Sequence, residues 1–343
     1  MANAFECDGR TVPPGSREYL KHEITETYLS DPVSLPVTIV NGDRPGPRMF
    51  LSAAIHGDEL NGVEAVRRIA DDLDHALLRG TIVCLHVVNV PGFNSQKRYL
   101  PVDDSDLNRS FPGHPAGTRA QRIADRVYRT FVEPCDFGID FHTSTRGRTN
   151  LVHVRGDLSV GRVDRLARAF ASNVVIDGPG PEGSLRRAAT EGGIPTITVE
   201  MGEANRFQRE QIDAAVEGVK SVLAEFGMHP QRKVHWPGWR TIVSGEREKT
   251  WLRSDAGGIV DMRVSGGALV HEGDRICTIT NPFNKELTGV EAPFTGLVLG
   301  VLENPVVYPG NPLCHFVRVS EQTRRVLEAR AAEGEAAPND QAE

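Results

Sequence analysis

Phe50-Leu-Ser-Ala-Ala-Ile-His-Gly-Asp-Glu59 is the stretch that decides how the rest of the chain reads. Met49 to Ile55 is an apolar run of the length and texture of a buried strand. It ends in His56-Gly57-Asp58-Glu59, and an amphipathic helix follows with Val63, Val66, Ile69 and Ala70 as its apolar stripe. A His and a Glu three residues apart, where a strand gives way to a helix, can aim two ligand atoms at one centre. Gly57 between them lets the backbone turn sharply. An imidazole nitrogen with a carboxylate oxygen suits Zn²⁺, which in catalytic sites takes three protein ligands and keeps a fourth position open. A third ligand must then come from elsewhere in the chain.

Working outward, Pro36 to Val40, Thr81 to Val88, Phe137 to Phe141, Asn150 to Val154, Asn173 to Ile176 and Pro195 to Val199 read as strands. Between them lie segments of helical spacing, at 118–132, 160–171 and 209–225. Alternation of this kind predicts an α/β fold: a mixed, mostly parallel sheet with helices on both faces. His56, His142 and Glu200 all fall just past predicted strand ends, where open α/β sheets bind ligands. From about His235 helical periodicity disappears and short β-like runs alternate with glycines, which predicts a C-terminal all-β module. The expected organisation is an N-terminal extension (1–34), a catalytic α/β domain (35–232), a C-terminal β domain (233–325) and a disordered tail (326–343).

The bulk properties narrow the function classes. Over 343 residues, 46 acids against 39 bases leave a net charge of -7, and the bases are scattered. Nucleic acid is therefore not expected as a partner, because phosphate binding needs a clustered basic face. No apolar stretch is long enough to span a bilayer, and no signal peptide is visible. Cys7, Cys84, Cys135, Cys277 and Cys314 are odd in number, far apart and free of any C-x-x-C, so they read as thiols of a reducing compartment. A cytoplasmic location is expected.

Several residues carry chemistry in this pattern, each with a plainer alternative. His142 closes Phe137-Gly-Ile-Asp-Phe141; the plainer role is a hydrogen-bonded core histidine. Strand alternation puts Asp140 on its side, and a metal-bound His usually donates its other N–H to a carboxylate or carbonyl. Glu200 closes the apolar run Pro195-Thr-Ile-Thr-Val, where a carboxylate is costly unless paired or working. It suits a general base acting on zinc-bound water; alternatively it caps the next loop. In the long loop 89–115, Arg98 and Arg109 suit an oxyanion and a substrate carboxylate, or are solvated loop cations.

The order H-G-D-E (56–59), R-Y (98–99), D-L-N-R-x-F-P-G (106–113), D-F-H-T (140–143) and T-V-E-M-G (198–202) resembles the succinylglutamate desuccinylase/aspartoacylase family, of the zinc carboxypeptidase clan, over about residues 35 to 325. The resemblance implies a zinc-carboxypeptidase-like fold and one Zn²⁺ per chain on His56, Glu59 and His142. It makes Glu200 the general base and acid and Arg98 the oxyanion donor. Asn108 and Arg109 would orient the substrate, with Arg109 on its carboxylate. Leu185-Arg186-Arg187 resembles the segment carrying a further substrate-binding arginine, Arg186, at an altered offset from the Glu. Residues 257–316 resemble a biotinyl/lipoyl-type barrel, with Lys285 near the carrier position, although a lid or packing role fits this module better. The implied activity is a metal-dependent hydrolase of non-peptide C–N bonds, removing a small acyl group from an N-acyl amino acid. The partner is that small molecule, with homo-oligomer formation left open. The alternatives are a zinc carboxypeptidase of small peptides, or a non-enzymatic binding or carrier protein that uses the β module.

Overall fold

The structure is a computed structural model that describes residues 4–7, 9–144, 147–230, 232–244, 248–283 and 285–332. In chain order the first half comprises β1 (Phe5–Cys7), β2 (Arg10–Val12), β3 (Ser16–Glu26), β4 (Pro32–Asn41), β5 (Arg44–Ser52), α1 (Asn61–Asp72), β6 (Arg79–Leu85), α2 (Val90–Asn94), α3 (Arg119–Val127), β7 (Phe137–Ser144) and β8 (Arg148–Gly156). Then come α4 (Gly161–Ala169), β9 (Val174–Asp177), α5 (Leu185–Glu191), β10 (Thr196–Glu203) and α6 (Arg209–Glu225).

The centre of the molecule is the parallel set β6-β5-β7-β10. Every residue of β7 is buried, the apolar Phe137, Ile139 and Phe141 alternating with polar residues that include Asp140 and His142. Side chains alternate between two cores. Met49 and Leu51 join Phe137, Ile139 and Phe141 against α1, α4 and α6. Phe50 joins Val83 and Leu85 against α3, α5 and the β1–β2 hairpin. Helices therefore cover both faces. The stripe Val66, Ile69 and Ala70 on α1 is buried, each large side chain contributing roughly 1.5–3 kcal/mol.

The sheet as a whole is not mostly parallel. Among the described residues it has 13 strands, and β3–β4, β4–β6 and β8–β10 pair antiparallel. Parallel neighbours need a crossover of a dozen or more residues. Residues 27–31 and 145–147 are too few, so β3 runs against β4, and β8 runs against the direction of β7 and β10. The N-terminal 34 residues are not an appendage either. β3 pairs with β4 along its length, with Leu20, His22 and Ile24 buried in alternation with exposed charges. That period of two is present in the sequence of Ser16–Glu26, where charged residues alternate with the buried ones.

The C-terminal part adds β11 (Thr241–Val243), β12 (Lys249–Arg253), β13 (Gly258–Met262), β14 (Leu269–Val270), β15 (Arg275–Thr280), β16 (Glu286–Glu291), β17 (Gly296–Leu302), β18 (Val306–Val307), β19 (Pro312–Arg318) and α7 (Glu321–Ala332). Among the described residues of this part, β13, β15, β16 and β18 form a separate four-stranded sheet. The others extend the main sheet: β17 pairs with β8, β19 with β17, and β12 with β19. α7 continues through Ala332, past the predicted tail boundary at 326; residues 333–343 lie outside the described residues. All five cysteines are buried free thiols, and no described helix is long and apolar enough to cross a membrane.

Candidate active site

His56 lies four residues past the end of β5, His142 lies near the carboxyl end of strand β7, and Glu200 faces His142 across the β10–β7 register. Because β5, β7 and β10 are parallel, their carboxyl ends share one edge of the sheet, and three segments remote in sequence meet there. Nδ1 of His56 is 2.8 Å from Oε1 of Glu59, and Nδ1 of His142 is 2.8 Å from Oε2 of the same carboxylate. The two Nδ1 atoms are 3.2 Å apart. All three residues are buried, with one ligand atom from each lying within 4.8 Å of the others; among the described residues they form the group that could hold a metal ion.

Each member of this group is oriented from behind. Asp140 Oδ2 takes Nε2 of His142 at 2.8 Å and is itself held by the Ser52 hydroxyl, which donates to Oδ1 at 2.8 Å. Arg98 Nη1 donates to Glu59 Oε1 at 2.7 Å, and the Thr143 amide to Oε2 at 3.0 Å. Nε2 of His56 is buried with Asp106 Oδ1 3.3 Å away, an ion-pair distance without an aligned hydrogen bond. Gly57 is needed here for a different reason from the one its position suggests. Its backbone is not left-handed; a Cβ would lie 2.1 Å from the carbonyl carbon of Gly92, so residues 92–93 can pass only against glycine.

Electrostatics follow from this packing. Burial would raise the pKa of Glu59, but the two imidazoles outweigh it and hold the carboxyl well below the usual range. Burial opposes charge on His142, yet Asp140 and Glu59 hold its pKa well above the ordinary value. Asp106 is held at about 2, because His56, Arg98 and Arg109 overcome its own desolvation. Two nitrogens and one carboxylate fit the donor set that catalytic zinc sites use, and His142 and Glu59 each have an outer partner, Asp140 and Arg98.

The opposite wall comes from β8 and the C-terminal strands. Opposite Glu200 and Gly202 on β10 stand His153 and Asn150 on β8, three steps against two. This bulge reverses the alternation, so Arg148 and Asn150 face the same way as His153 and Arg155. Asn150 Nδ2 donates to Glu200 Oε2 at 3.3 Å, and Arg155 Nε stands 3.4 Å from Oε1. The row continues across the sheet through Gly300, His315 and Trp251. A Cβ on Gly300 would lie 2.6 Å from Asn150 Oδ1, which explains the glycine at that crossing. The resulting cavity, about 160 Å³, is lined by the three ligand candidates, Arg98, Glu200, Asn150, Arg148, Arg155 and Trp251. A larger cavity of about 310 Å³ beside Phe170 and Trp239 holds no such group of ligating side chains among the described residues.

The succinylglutamate desuccinylase/aspartoacylase catalytic domain matches residues 45–226, more than half of the chain. The chain belongs to this family. Among its relatives, the N-alpha-acetyl-L-2,4-diaminobutyric acid deacetylase of Halomonas elongata is 24% identical over 298 residues, 84% of either chain. The succinylglutamate desuccinylase of Burkholderia thailandensis is 29% identical over 152 residues, 44% of this chain and 42% of that one. Among solved structures, the product-bound ectoine utilization protein of Ruegeria pomeroyi superposes with a TM-score of 0.79 at 23% identity, over 93% of this chain and 99% of that one. A succinylglutamate desuccinylase from a Silicibacter species gives 0.78 at 24% identity, over 89% of this chain and 95% of that one. These likenesses show a shared mixed α/β fold.

Within this family fold, the motif residues do not all reach the cavity. His56, Glu59, His142, Glu200 and Arg98 line it. Asn108 sits behind it: Nδ2 is 3.4 Å from Nε2 of His142, and Oδ1 accepts from the Leu185 amide at 2.9 Å, which ties the motif loop to α5. The Arg109 side chain is 47% exposed, donates to the Asn108 carbonyl at 2.7 Å, and is not among the lining residues. Arg186 is buried, donates to the Gly178 carbonyl at 2.7 Å, and also stays out of the lining. Desolvation, with Arg155 nearby, lowers its pKa to about 10. Arg148, Asn150, Arg155 and Trp251 escaped the sequence reading. The single available signal was two arginines and an asparagine within one short strand, at spacings that a regular strand would send to opposite faces.

Proposed function

We propose that the protein is a zinc-dependent amidohydrolase that removes a small acyl group, such as acetyl or succinyl, from an N-acyl amino acid or a similar carboxylated amide. One juxtaposition carries this reading: His56, Glu59, His142 and Glu200 open onto the same small cavity. The deacetylase and desuccinylase relatives support it, as both remove acyl groups from amino-acid nitrogen. Nδ1 of His56, Nδ1 of His142 and the Glu59 carboxylate would hold the ion. When bound, it supplies Lewis-acid polarisation of the scissile carbonyl and a lowered pKa for water.

The chain's own groups would do the remaining work. Glu200 would take a proton from the attacking water and deliver it to the leaving nitrogen. Asn150 and Arg155 hold that carboxylate by both oxygens, which fixes its direction. Arg98, anchored on Glu59, would donate to the oxygen that gains negative charge. Residues 35–232 would carry the chemistry, and 233–325 would complete the wall through Trp251, with the four-stranded second sheet as the biotinyl/lipoyl-type portion.

The deciding experiment is metal analysis together with hydrolysis of a panel of N-acetyl and N-succinyl amino acids, on wild type, Glu200→Gln and His142→Ala. About one zinc per chain is expected in wild type and lost in His142→Ala. Glu200→Gln should retain zinc while turnover falls by roughly 100-fold or more. A wild type that neither binds zinc nor cleaves any amide after zinc is added would overturn the reading.

A further inference from the structure

Glu200, the general base of the reading above, is flanked on β8 by two groups that hold it differently. Asn150 Nδ2 donates to its Oε2 at 3.3 Å. Arg155 Nε stands 3.4 Å from Oε1, but its single Nε–H goes elsewhere: it donates to Nε2 of His153 at 3.2 Å. Arg155 is thus paired with the base by charge, while its Nε–H is committed to an imidazole.

His153 has the surroundings of a fixed acceptor. It is the register partner of Glu200, so the two side chains leave the sheet on one face, and it is fully buried. Its Nδ1 lies 2.9 Å from the Leu151 carbonyl, which only accepts, so Nδ1 carries the proton and Nε2 is left as an acceptor. Burial, then the Arg155 charge, hold the pKa of the ring well below its ordinary value, which keeps the imidazole neutral and the acceptor in place. A carbonyl two residues back in the same strand therefore fixes the tautomer, and the tautomer fixes where the Arg155 N–H goes. Released from His153, that N–H is already close enough to turn onto Oε1 and close a strong charge-assisted hydrogen bond. A carboxylate bonded in that way has one lone pair fewer for water.

We propose that His153 is a positioning residue for the reaction: by accepting the Nε–H of Arg155 it keeps that guanidinium at ion-pair distance from Glu200 and leaves Oε1 open to the attacking water. This rests on the amidohydrolase reading above, with Glu200 as its base.

The test measures kcat and KM separately, with the best substrate of the N-acetyl and N-succinyl amino acid panel, reading the freed amino group. The proteins are wild type, His153→Leu, His153→Gln, His153→Asn, Arg155→Ala and the double variant His153→Leu with Arg155→Ala, each checked for metal content and melting temperature. His153→Leu should keep its zinc and its KM while kcat falls by roughly 10- to 100-fold, the scale of a misplaced reacting group. The two amide variants separate positioning from packing. Asn can replace Nδ1 as the donor to the Leu151 carbonyl but is too short to reach Arg155, whereas Gln brings an acceptor oxygen to the place of Nε2. Gln should therefore recover most of kcat and Asn little of it, whatever either does to the melting temperature; this pair decides the matter if the leucine variant does not fold. In the double variant the loss in kcat should not exceed the larger of the two single losses, since both act through one hydrogen bond. A wild-type kcat in His153→Leu, equal kcat in the two amide variants, or losses that add in the double variant each overturn the proposal and leave the hydrolase reading standing. A wild type that cleaves no compound of the panel overturns that reading and this proposal with it.

Discussion

Asp140 Oδ2 stands 2.8 Å from Nε2 of His142, while Nδ1 of the same ring stands 2.8 Å from Glu59. One imidazole thus bridges a buried carboxylate behind the cavity and the proposed ligand group within it. Removing the outer charge should weaken the metal without removing a ligand. Asp140→Asn is expected to lower zinc affinity by roughly 10–100-fold, measured by competition with a chelating dye. Unaltered affinity would mean that His142 needs no such partner.

Metal should also hold the fold together at this edge, since the proposed ligands come from the segment between β5 and α1 and from β7. Zinc added to chelator-treated protein at about 100 times its dissociation constant should contribute ~2.7 kcal/mol and raise the melting temperature by about 5 °C. His142→Ala should show no such rise. An equal rise in that variant would place the ion elsewhere.

Gly57 provides a steric test. Its added Cβ would meet the backbone of Gly92 and Phe93 at 2.1 and 2.2 Å, and neither can move as a side chain could. Gly57→Ala is expected to cost roughly 1–3 kcal/mol in urea unfolding and to displace His56, lowering zinc affinity as well. Wild-type stability in this variant would mean that the 92–93 segment yields freely.

His315 predicts a pH dependence. Burial, then Arg155, Lys249 and Arg148, push its pKa from 6.5 to about 3, so the folded protein keeps it neutral. Above pH 6.5 neither state is protonated and nothing is lost. Below it the unfolded chain binds a proton that the folded chain refuses, so stability falls as pH drops from 6.5 toward 3, by about 1.4 kcal/mol per pH unit. His315→Phe should flatten this limb: its stability relative to wild type should improve between pH 7 and pH 5 in denaturant titrations. Parallel curves would mean that His315 titrates normally in the folded state.

The parts legible in the chain are those set by local pattern. Met49 to Ile55 and Phe137 to Phe141 announced buried strands, and the stripe on α1 announced a helix, because each periodicity reflects contacts within a few residues. His56, Glu59, His142 and Glu200 came within reach for a related reason: parallel strands deliver their carboxyl ends to one edge whatever the loops do. Asp140 beside His142 followed from alternation alone. The N-terminal strand β3 was legible too, in Leu20, His22 and Ile24, but its charged partners masked the period.

What the chain by itself determined is a buried strand that hands His56 and Glu59 to the start of a helix, a family motif set in the right order, and two further strands ending in His142 and Glu200. Only the tertiary structure decided which cations face them. The bulge between Asn150 and His153 arises from pairing three steps of β8 with two of β10, a mismatch that exists only once the strands are adjacent. It turns Arg148 and Arg155 to the same face, while the direction of Arg109 is set by the Asn108 carbonyl and not by its motif. Trp251 reaches the wall because β12, β19 and β17 extend the sheet instead of closing into a separate module. Strand order and register are properties of contacts between distant segments, and no local pattern of residues encodes them.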